Sequence, residues 1–233
     1  WELQQNCCGS KYGGNYVNLL KVFEYQIHNR TDMMNKVGMR FNSVDNAENF
    51  EEVYKITCDN INTLFKERNR ITAMGGHMWE QVDPLPIFSS LFGDCIKNKS
   101  DFTNSGARYN DECYMCVGFP NIVDSLLAIK TLCFDKKKYT LKKMLDAVRS
   151  NWVGFDEMRL DAIHCCGWGD GSEESCALAK RFNTDLYNML AELQGQYGGK
   201  VNLGHLTYTE IRFWGENTLA TPDGRYNGDY LSQ

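Results

Sequence analysis

Near its C-terminal end the chain reads Thr218-Leu-Ala-Thr-Pro-Asp-Gly-Arg-Tyr-Asn-Gly-Asp-Tyr-Leu-Ser232, and this stretch weighs most on the choice of fold. Its Pro-Asp-Gly segment predicts a tight turn, because proline presets φ and glycine accepts a positive φ. Three further stretches form a pattern with it through their order and spacing. They are Pro84-Leu-Pro-Ile-Phe-Ser-Ser-Leu-Phe-Gly-Asp-Cys-Ile96, Ser105-Gly-Ala-Arg-Tyr-Asn110 and Asn121-Ile-Val-Asp-Ser-Leu-Leu-Ala-Ile-Lys130.

Composition narrows the class of protein. The 233 residues are 42% hydrophobic and carry a net charge of −5, which supports a packed core in one large or two small domains. No apolar run approaches 18 residues and no basic patch alternates with aromatics, so we expect neither a membrane span nor a nucleic-acid partner. Ten cysteines include the adjacent pairs Cys7-Cys8 and Cys165-Cys166. Adjacent cysteines fit a disulfide framework poorly, so we expect free thiols in the reducing cytoplasm of an anaerobe.

Periodicity predicts helices separated by short extended pieces, and therefore an α/β fold. Apolar residues at helical spacing and capping residues mark the helices, and alternation with period two marks a strand. Residues 1–16 are predicted as loop. The predicted helices are 17–28, 50–71 behind an Asp45/Glu48 capping box, 87–96, 121–132, one capped by Thr140 and one starting at Ser172, and the predicted strand is 201–213.

In their order and spacing, the four stretches resemble the second half of a glycyl radical enzyme. This family contains pyruvate formate-lyase, glycerol and diol dehydratases, choline lyase and arylacetate decarboxylases. The resemblance covers nearly the whole chain. It implies that residues 1–233 are part of one helix-rich, ten-stranded α/β barrel domain, the second half of it. The family's Arg-Val-x-Gly-Tyr radical motif is not present, so we expect the glycine radical domain outside this chain and no activity from this chain alone.

The Cys7-Cys8 pair is the first candidate catalytic site. From the pair alone, two ordinary buried thiols are the favoured interpretation. The resemblance implies instead that one of them carries a thiyl radical. The dehydratase, lyase and decarboxylase branch has a Cys-x-Glu pattern, but here Ser10 follows Cys8 in the glutamate's place, and Gly9 does so if Cys7 carries the radical. Pyruvate formate-lyase instead has adjacent cysteines, to which the pair is similar.

The second candidate site is Arg108-Tyr-Asn-Asp-Glu112. In the family, the matching strand end faces the substrate cavity. The resemblance therefore implies that Glu112 supplies the acid or base missing from the cysteine loop, and that Tyr109 and Asn110 join Ser10 in contacting substrate. A solvated turn is the alternative interpretation. The nearby Cys113-Tyr-Met-Cys116 has no second pair at zinc-site spacing, so no metal is expected.

The resemblance also implies a mechanism and partners. A separate radical-SAM activase makes the glycyl radical, no cofactor is bound, and the enzyme is expected to be a homodimer. The thiyl radical on cysteine abstracts hydrogen from a small organic substrate, which then undergoes C–C or C–heteroatom cleavage, as in a lyase, dehydratase or decarboxylase. Two alternatives stay open. One is acyl transfer to coenzyme A of the formate acetyltransferase type, which needs both Cys7 and Cys8. The other is a catalytically inactive paralogue with a binding or scaffold role.

Overall fold

The computed structural model describes residues 15–30, 34, 36, 38–76, 78–165, 167–205 and 211–232. Within them, one sheet contains three strands in the order β1-β2-β3. No helix of this described part is long and apolar enough to cross a membrane. The elements in chain order are β1 (Asn15–Asn18), α1 (Leu19–Ile27), α2 (Phe50–Gly76), α3 (Trp79–Val82), α4 (Pro86–Ser89), α5 (Gly93–Asn98), β2 (Glu112–Val117), α6 (Phe119–Ile129) with a π-helical turn at Lys130–Asp135, α7 (Leu141–Arg149), α8 (Asp156–Ile163), α9 (Glu173–Ala191), β3 (Val201–His205) and α10 (Ile211–Glu216).

The described residues divide into two compact units. The first unit comprises the described residues of 15–16, 65–115 and 187–204, and the second those of 17–64, 116–186 and 205–232. The first unit contains a small aromatic core, in which the rings of Phe88, Phe92 and Phe102 lie pairwise 5.0 Å apart. The Asp101 carboxylate secures this core, because it accepts hydrogen bonds from Leu85 N at 3.1 Å and from the Ser89 hydroxyl at 2.9 Å.

The core of the second unit forms where α1 packs against α6. Both helices are buried on most sides, and their buried residues include polar ones such as Glu24 and Asn121 beside the apolar majority. Gly118 stands before α6 with φ of +81°, and a Cβ there would lie 2.7 Å from the Leu20 Cβ. Glycine therefore permits both the left-handed backbone and the close approach of the two helices.

Local signals predicted several helix boundaries correctly. Thr140 accepts from Lys143 N at 3.2 Å and begins α7, and Ser172 accepts from Ser175 N at 3.2 Å ahead of α9. These two signals are correct because a cap acts within one helical turn. The end of α2 was predicted at residue 71, whereas the helix continues to Gly76.

Other boundary predictions were wrong. The cap of α2 is Asn49, whose Oδ1 accepts from Glu52 N at 3.0 Å, and not Asp45 with Glu48. Asp45 pairs instead with the distant Arg149. Residues 15–18 form β1, so the predicted loop extends too far and α1 starts at Leu19 rather than residue 17.

The long strand predicted over 201–213 also required correction. The strand ends at His205 among the described residues, and Ile211–Glu216 is helical. A Cβ at Gly215 would lie 2.2 Å from the Asp229 carbonyl oxygen, so α10 packs directly on the C-terminal segment. This contact overrides the weak alternation of Ile211 and Phe213. The helix α8 was not predicted, because Leu160 and Ile163 are exposed and its sequence shows no apolar face.

Candidate functional site

Cys7, Cys8 and Ser10 lie outside the described residues, so their roles stay predictions. The other three predicted site residues belong to the first unit, in and before β2. Of these, Tyr109 is 51% exposed, and the Asn110 amide donates to the carbonyl oxygen of Ala107 in its own loop at 2.9 Å. Glu112 alone is buried.

The Glu112 carboxylate is held at one oxygen only. The side chain is 5% exposed, and its Oε1 accepts from Gln196 N at 2.8 Å. Its Oε2 is buried and has no hydrogen-bond partner in the part of the chain that the structure describes. Most buried polar atoms in proteins are paired, so this oxygen requires a structural or functional reason.

Neighbouring residues fix which face of the strand Glu112 occupies. Alternation along β2 puts Glu112 and Tyr114 on one face. The Tyr114 ring packs edge-on against Phe65 of α2 at 5.7 Å, and the Arg68 guanidinium lies 5.6 Å from the same ring. Glu112 therefore shares the face of β2 that packs against α2.

The opposite face of β2 carries sulfur. The Cys113 Sγ lies 3.3 Å from the Met115 Sδ, and a Cβ at Gly204 of β3 would lie 2.9 Å from the first and 2.6 Å from the second. Glycine at 204 thus lets β3 lie beside β2 without displacing these side chains. Burial raises the pKa of the Cys113 thiol, which disfavours the reactive thiolate.

A glycine-rich loop after α9 completes this site. Residues 194–200 turn back along the start of β2, where Lys200 O accepts from Glu112 N at 2.8 Å. A Cβ at Gly199 would lie 2.1 Å from the Asn110 carbonyl oxygen, so only glycine fits there. The signal that could have located this loop is the Gly195, Gly198 and Gly199 cluster itself.

The second unit contains an open cleft of about 490 Å³. The Phe119 ring forms its centre: it stacks on Phe182 at 5.4 Å, meets Trp168 edge-on at 5.9 Å and lies 4.7 Å from the His205 ring. His205 Nε2 is 2.7 Å from Asn183 Oδ1, so this nitrogen carries the proton. Burial lowers the pKa of His205, which favours the neutral ring.

Asp124 of α6 positions the tryptophan wall of this cleft. Its Oδ1 accepts from Trp168 N at 2.5 Å. Burial raises the pKa of Asp124 to about 6, and the charges of Asp223 and Asp170 act in the same direction. Among the described residues no group of three His, Cys, Asp or Glu is placed to hold a metal ion.

The segment Thr218–Ser232 docks onto the second unit through a buried arginine. Arg225 is 7% exposed, and its guanidinium donates to the carbonyl oxygens of Asp229 at 2.7 Å, Thr218 at 3.1 Å and Leu219. One side chain thus donates to three carbonyl oxygens, of which that of Thr218 also accepts from Gly228 N at 3.1 Å.

Side chains outside the segment hold its backbone as well. The fully buried Glu24 of α1 accepts from Leu219 N at 2.9 Å and pairs with Lys21 at 2.7 Å. The His28 Nε2 lies 2.8 Å from the Ala220 carbonyl oxygen, and the Trp152 indole donates to the Arg225 carbonyl oxygen at 3.2 Å. The segment is therefore part of the fold of the second unit.

Comparison with known proteins gives consistent matches along the chain. A model of the pyruvate formate lyase-like family matches residues 4–214. The trans-4-hydroxy-L-proline dehydratase of Clostridioides difficile is 26% identical over 213 residues, which cover 90% of this chain and 27% of that enzyme. The glycyl radical subunit of 4-hydroxyphenylacetate decarboxylase from Clostridioides difficile strain CD196 is 28% identical over 212 residues, 79% of this chain and 23% of that subunit.

Comparison of structures agrees with the sequence matches. The crystal structure of hydroxyproline dehydratase from Clostridioides difficile, with its substrate trans-4-hydroxy-L-proline bound, aligns with a TM-score of 0.85 at 26% identity, covering 94% of this chain and 28% of that one. This chain thus spans less than a third of the length of the relatives it matches. With a family match over 4–214 and an α/β, helix-rich fold shared with such an enzyme, the chain belongs to the pyruvate formate lyase-like family of glycyl radical enzymes.

Proposed function

We propose that this chain is part of a glycyl radical enzyme that cleaves a C–C or C–heteroatom bond of a small organic molecule. The observation that carries the proposal is the family match over residues 4–214, which includes Cys7 and Cys8. The similar proteins are a dehydratase and a decarboxylase, and dehydration and decarboxylation both break a bond to carbon. The alignment over 94% of this chain supports a place within one barrel domain, and we propose that the chain forms its second half.

The proposed chemistry conserves atoms and electrons at each step. A glycyl radical, installed outside this chain by a radical-SAM activase, takes the hydrogen atom from the Cys7 or Cys8 thiol. The resulting thiyl radical abstracts a hydrogen atom from a C–H bond of the substrate, so that the thiol re-forms and the radical moves to carbon. Bond cleavage leaves a product radical, which takes a hydrogen atom back from the thiol. Shielding from water and oxygen is required throughout.

Glu112 is the proposed acid or base of the bond-breaking step. Its burial and its unpartnered Oε2 support this role, because a buried carboxylate with spare acceptor capacity can exchange a proton with a bound group. Ser10, Tyr109 and Asn110 are proposed to contact substrate. A purely structural role for Glu112, in holding the 194–200 loop through Gln196 N, is the rival explanation.

The test uses the complete parent protein, activated anaerobically by its activase and offered trans-4-hydroxy-L-proline, 4-hydroxyphenylacetate, or pyruvate with coenzyme A. Electron paramagnetic resonance reports the glycyl radical, and product analysis reports turnover. We expect replacement of the radical cysteine, Cys7 or Cys8, by alanine to abolish turnover while the glycyl radical still forms. The matched control Cys58→Ala should keep both. Turnover that survives replacement of both Cys7 and Cys8 would overturn the proposal.

The same experiment separates the alternatives. Acyl transfer to coenzyme A is favoured by the adjacent cysteines and the absence of Cys-x-Glu, and it predicts that Cys7→Ala and Cys8→Ala each abolish formation of acetyl-coenzyme A. A protein that never acquires a radical would instead be an inactive paralogue.

The variant Glu112→Gln decides the role of Glu112. If Glu112 is the acid or base, Glu112→Gln should lose turnover at an unchanged melting temperature and with its glycyl radical intact. If it is structural, Glu112→Gln should keep turnover, because the amide oxygen can still accept from Gln196 N.

A further inference from the structure

We propose that the cleft of the second unit binds a small planar aromatic carboxylate, with its ring against the exposed Trp168 and its carboxylate toward Lys180. A volume of about 490 Å³ is within the range of small-molecule sites and accommodates one ring with a short substituent. The inference does not rest on the proposed radical chemistry, because binding is measured directly on the complete parent protein without its activase.

The apolar side of the cleft suits an aromatic ring. Phe119 meets Trp168 edge-on at 5.9 Å and supports it from within, so a flat ligand can stack on the part of the Trp168 ring that stays exposed. Val117 and Ile211 extend this apolar lining. Trp168 remains 45% exposed, and the hydrogen bond from its backbone N–H to Asp124 fixes that part of the chain without a ligand. The wall is thus preorganised and still accessible.

The charge around the cleft favours an anion. One face of α9 lines it with residues at helical spacing, among them Cys176, Lys180 and Asn183. No Asp or Glu is among the described residues that line the cleft. Lys130 and Lys138 each pair with two carboxylates, whereas Lys180 has no ion pair within the described residues. Its ammonium group is therefore available to a ligand carboxylate.

The start of α6 adds to this preference. Gly118, Phe119 and Pro120 line the cleft, and Gly118 caps the helix without a side chain. Positive potential from the first turn of α6 consequently reaches the cleft alongside the Lys180 charge. The proton on His205 Nε2 is already donated to Asn183 Oδ1, so this nitrogen adds no further donor for the ligand.

An exposed thiol in the cleft allows ligand binding to be measured. Cys176 is exposed, so its alkylation by iodoacetamide should slow when a ligand occupies the cleft. The probe is benzoate, compared with benzyl alcohol, which lacks the charge, and cyclohexanecarboxylate, which lacks the aromatic ring. Peptide mass spectrometry of the full chain follows Cys176, with the half-buried Cys58 as internal reference.

We expect benzoate to protect Cys176, and each comparison compound to protect it less at the same concentration. Lys180→Gln should weaken benzoate protection about two- to fivefold, the range of a partly exposed ion pair. The matched control Lys142→Gln, at an exposed position on α7, should leave it unchanged. Circular dichroism checks that both variants are folded.

Three results would overturn the inference: no protection by benzoate, equal protection by benzyl alcohol, or equal effects of Lys180→Gln and Lys142→Gln. Because no activase or turnover is involved, these results leave the proposed radical function untouched, and failure of that function leaves this inference untouched.

Discussion

Replacing Arg225 tests whether one buried guanidinium docks the segment Thr218–Ser232. Arg225→Met keeps most of the volume but removes the donors to three carbonyl oxygens and to the Thr221 hydroxyl at 3.2 Å. The Leu219 carbonyl oxygen loses its donor, which costs about 1 kcal/mol or more, whereas the Thr218 oxygen keeps its bond from Gly228 N and Asp229 is exposed. Removing the charge recovers part of its desolvation cost, since burial lowers the pKa of Arg225. We therefore expect the free energy of unfolding to fall by about 1–2 kcal/mol.

The assay combines denaturant unfolding with amide hydrogen exchange. The amides of 218–232 should lose protection in Arg225→Met beyond that lost elsewhere in the second unit. Arg225→Lys keeps the charge but offers a single ammonium group, so we expect about half the loss. The matched control is Arg212→Met on α10. Arg212 is 68% exposed and pairs with Glu216, so its replacement should cost under about 0.5 kcal/mol. Equal losses for the two methionine variants would refute the docking role.

Three further predictions address the turn, a buried acid and a cap. Gly224 has φ of +91°, and a Cβ there would lie 2.5 Å from Ile163 Cγ1, whereas Gly228 has φ of +81° and open space around it. Gly224→Ala should therefore lower the melting temperature clearly more than Gly228→Ala. Equal shifts would contradict the steric argument. The folded-state pKa of Asp124 is raised from 3.8 to about 6, so its contribution to stability falls as pH rises between these values. In denaturant unfolding at pH 7.5, the free energy of unfolding of Asp124→Asn should therefore exceed that of the wild type by up to about 1 kcal/mol, after allowance for solvent screening. This difference should disappear near pH 4. Asn49→Ala should destabilise α2 by about 1 kcal/mol in the same unfolding measurement, whereas no loss would show that the cap contributes nothing.

What could be predicted of the fold was what acts within one helical turn. Thr140 and Ser172 were assigned as caps correctly, because a cap bonds to an N–H only two or three residues away. Asp45 and Asn49 are both plausible caps by this criterion. The choice between them depends on Arg149, which pairs with Asp45 across 104 residues of sequence. A prediction from neighbouring residues cannot include a partner so far along the chain.

In the candidate site, too, the single residue was predictable from the sequence, whereas its distant neighbours were not. The sequence singled out Glu112, and the structure buries it. The groups that determine its environment are Gln196, which is 84 residues further along the chain, and Tyr114, whose face of the strand is set by packing on Phe65. The cysteine pair was identified by family resemblance, and no pattern of spacing or charge led to it. The cleft was not foreseen, because Phe119, Trp168 and Lys180 come from three separate segments.

The docking of the C-terminal segment shows why such sites depend on the whole fold. Its turn is local, since Pro222, Asp223 and Gly224 favour it in any context. Its position is not, because Leu219 N reaches Glu24 across 195 residues of sequence. Glu24 is fully buried, and Lys21, Arg30 at 3.7 Å and this backbone N–H together compensate its charge. The segment and α1 therefore stabilise each other, because loss of the segment removes the one backbone donor among these partners and leaves the carboxylate to the two cations.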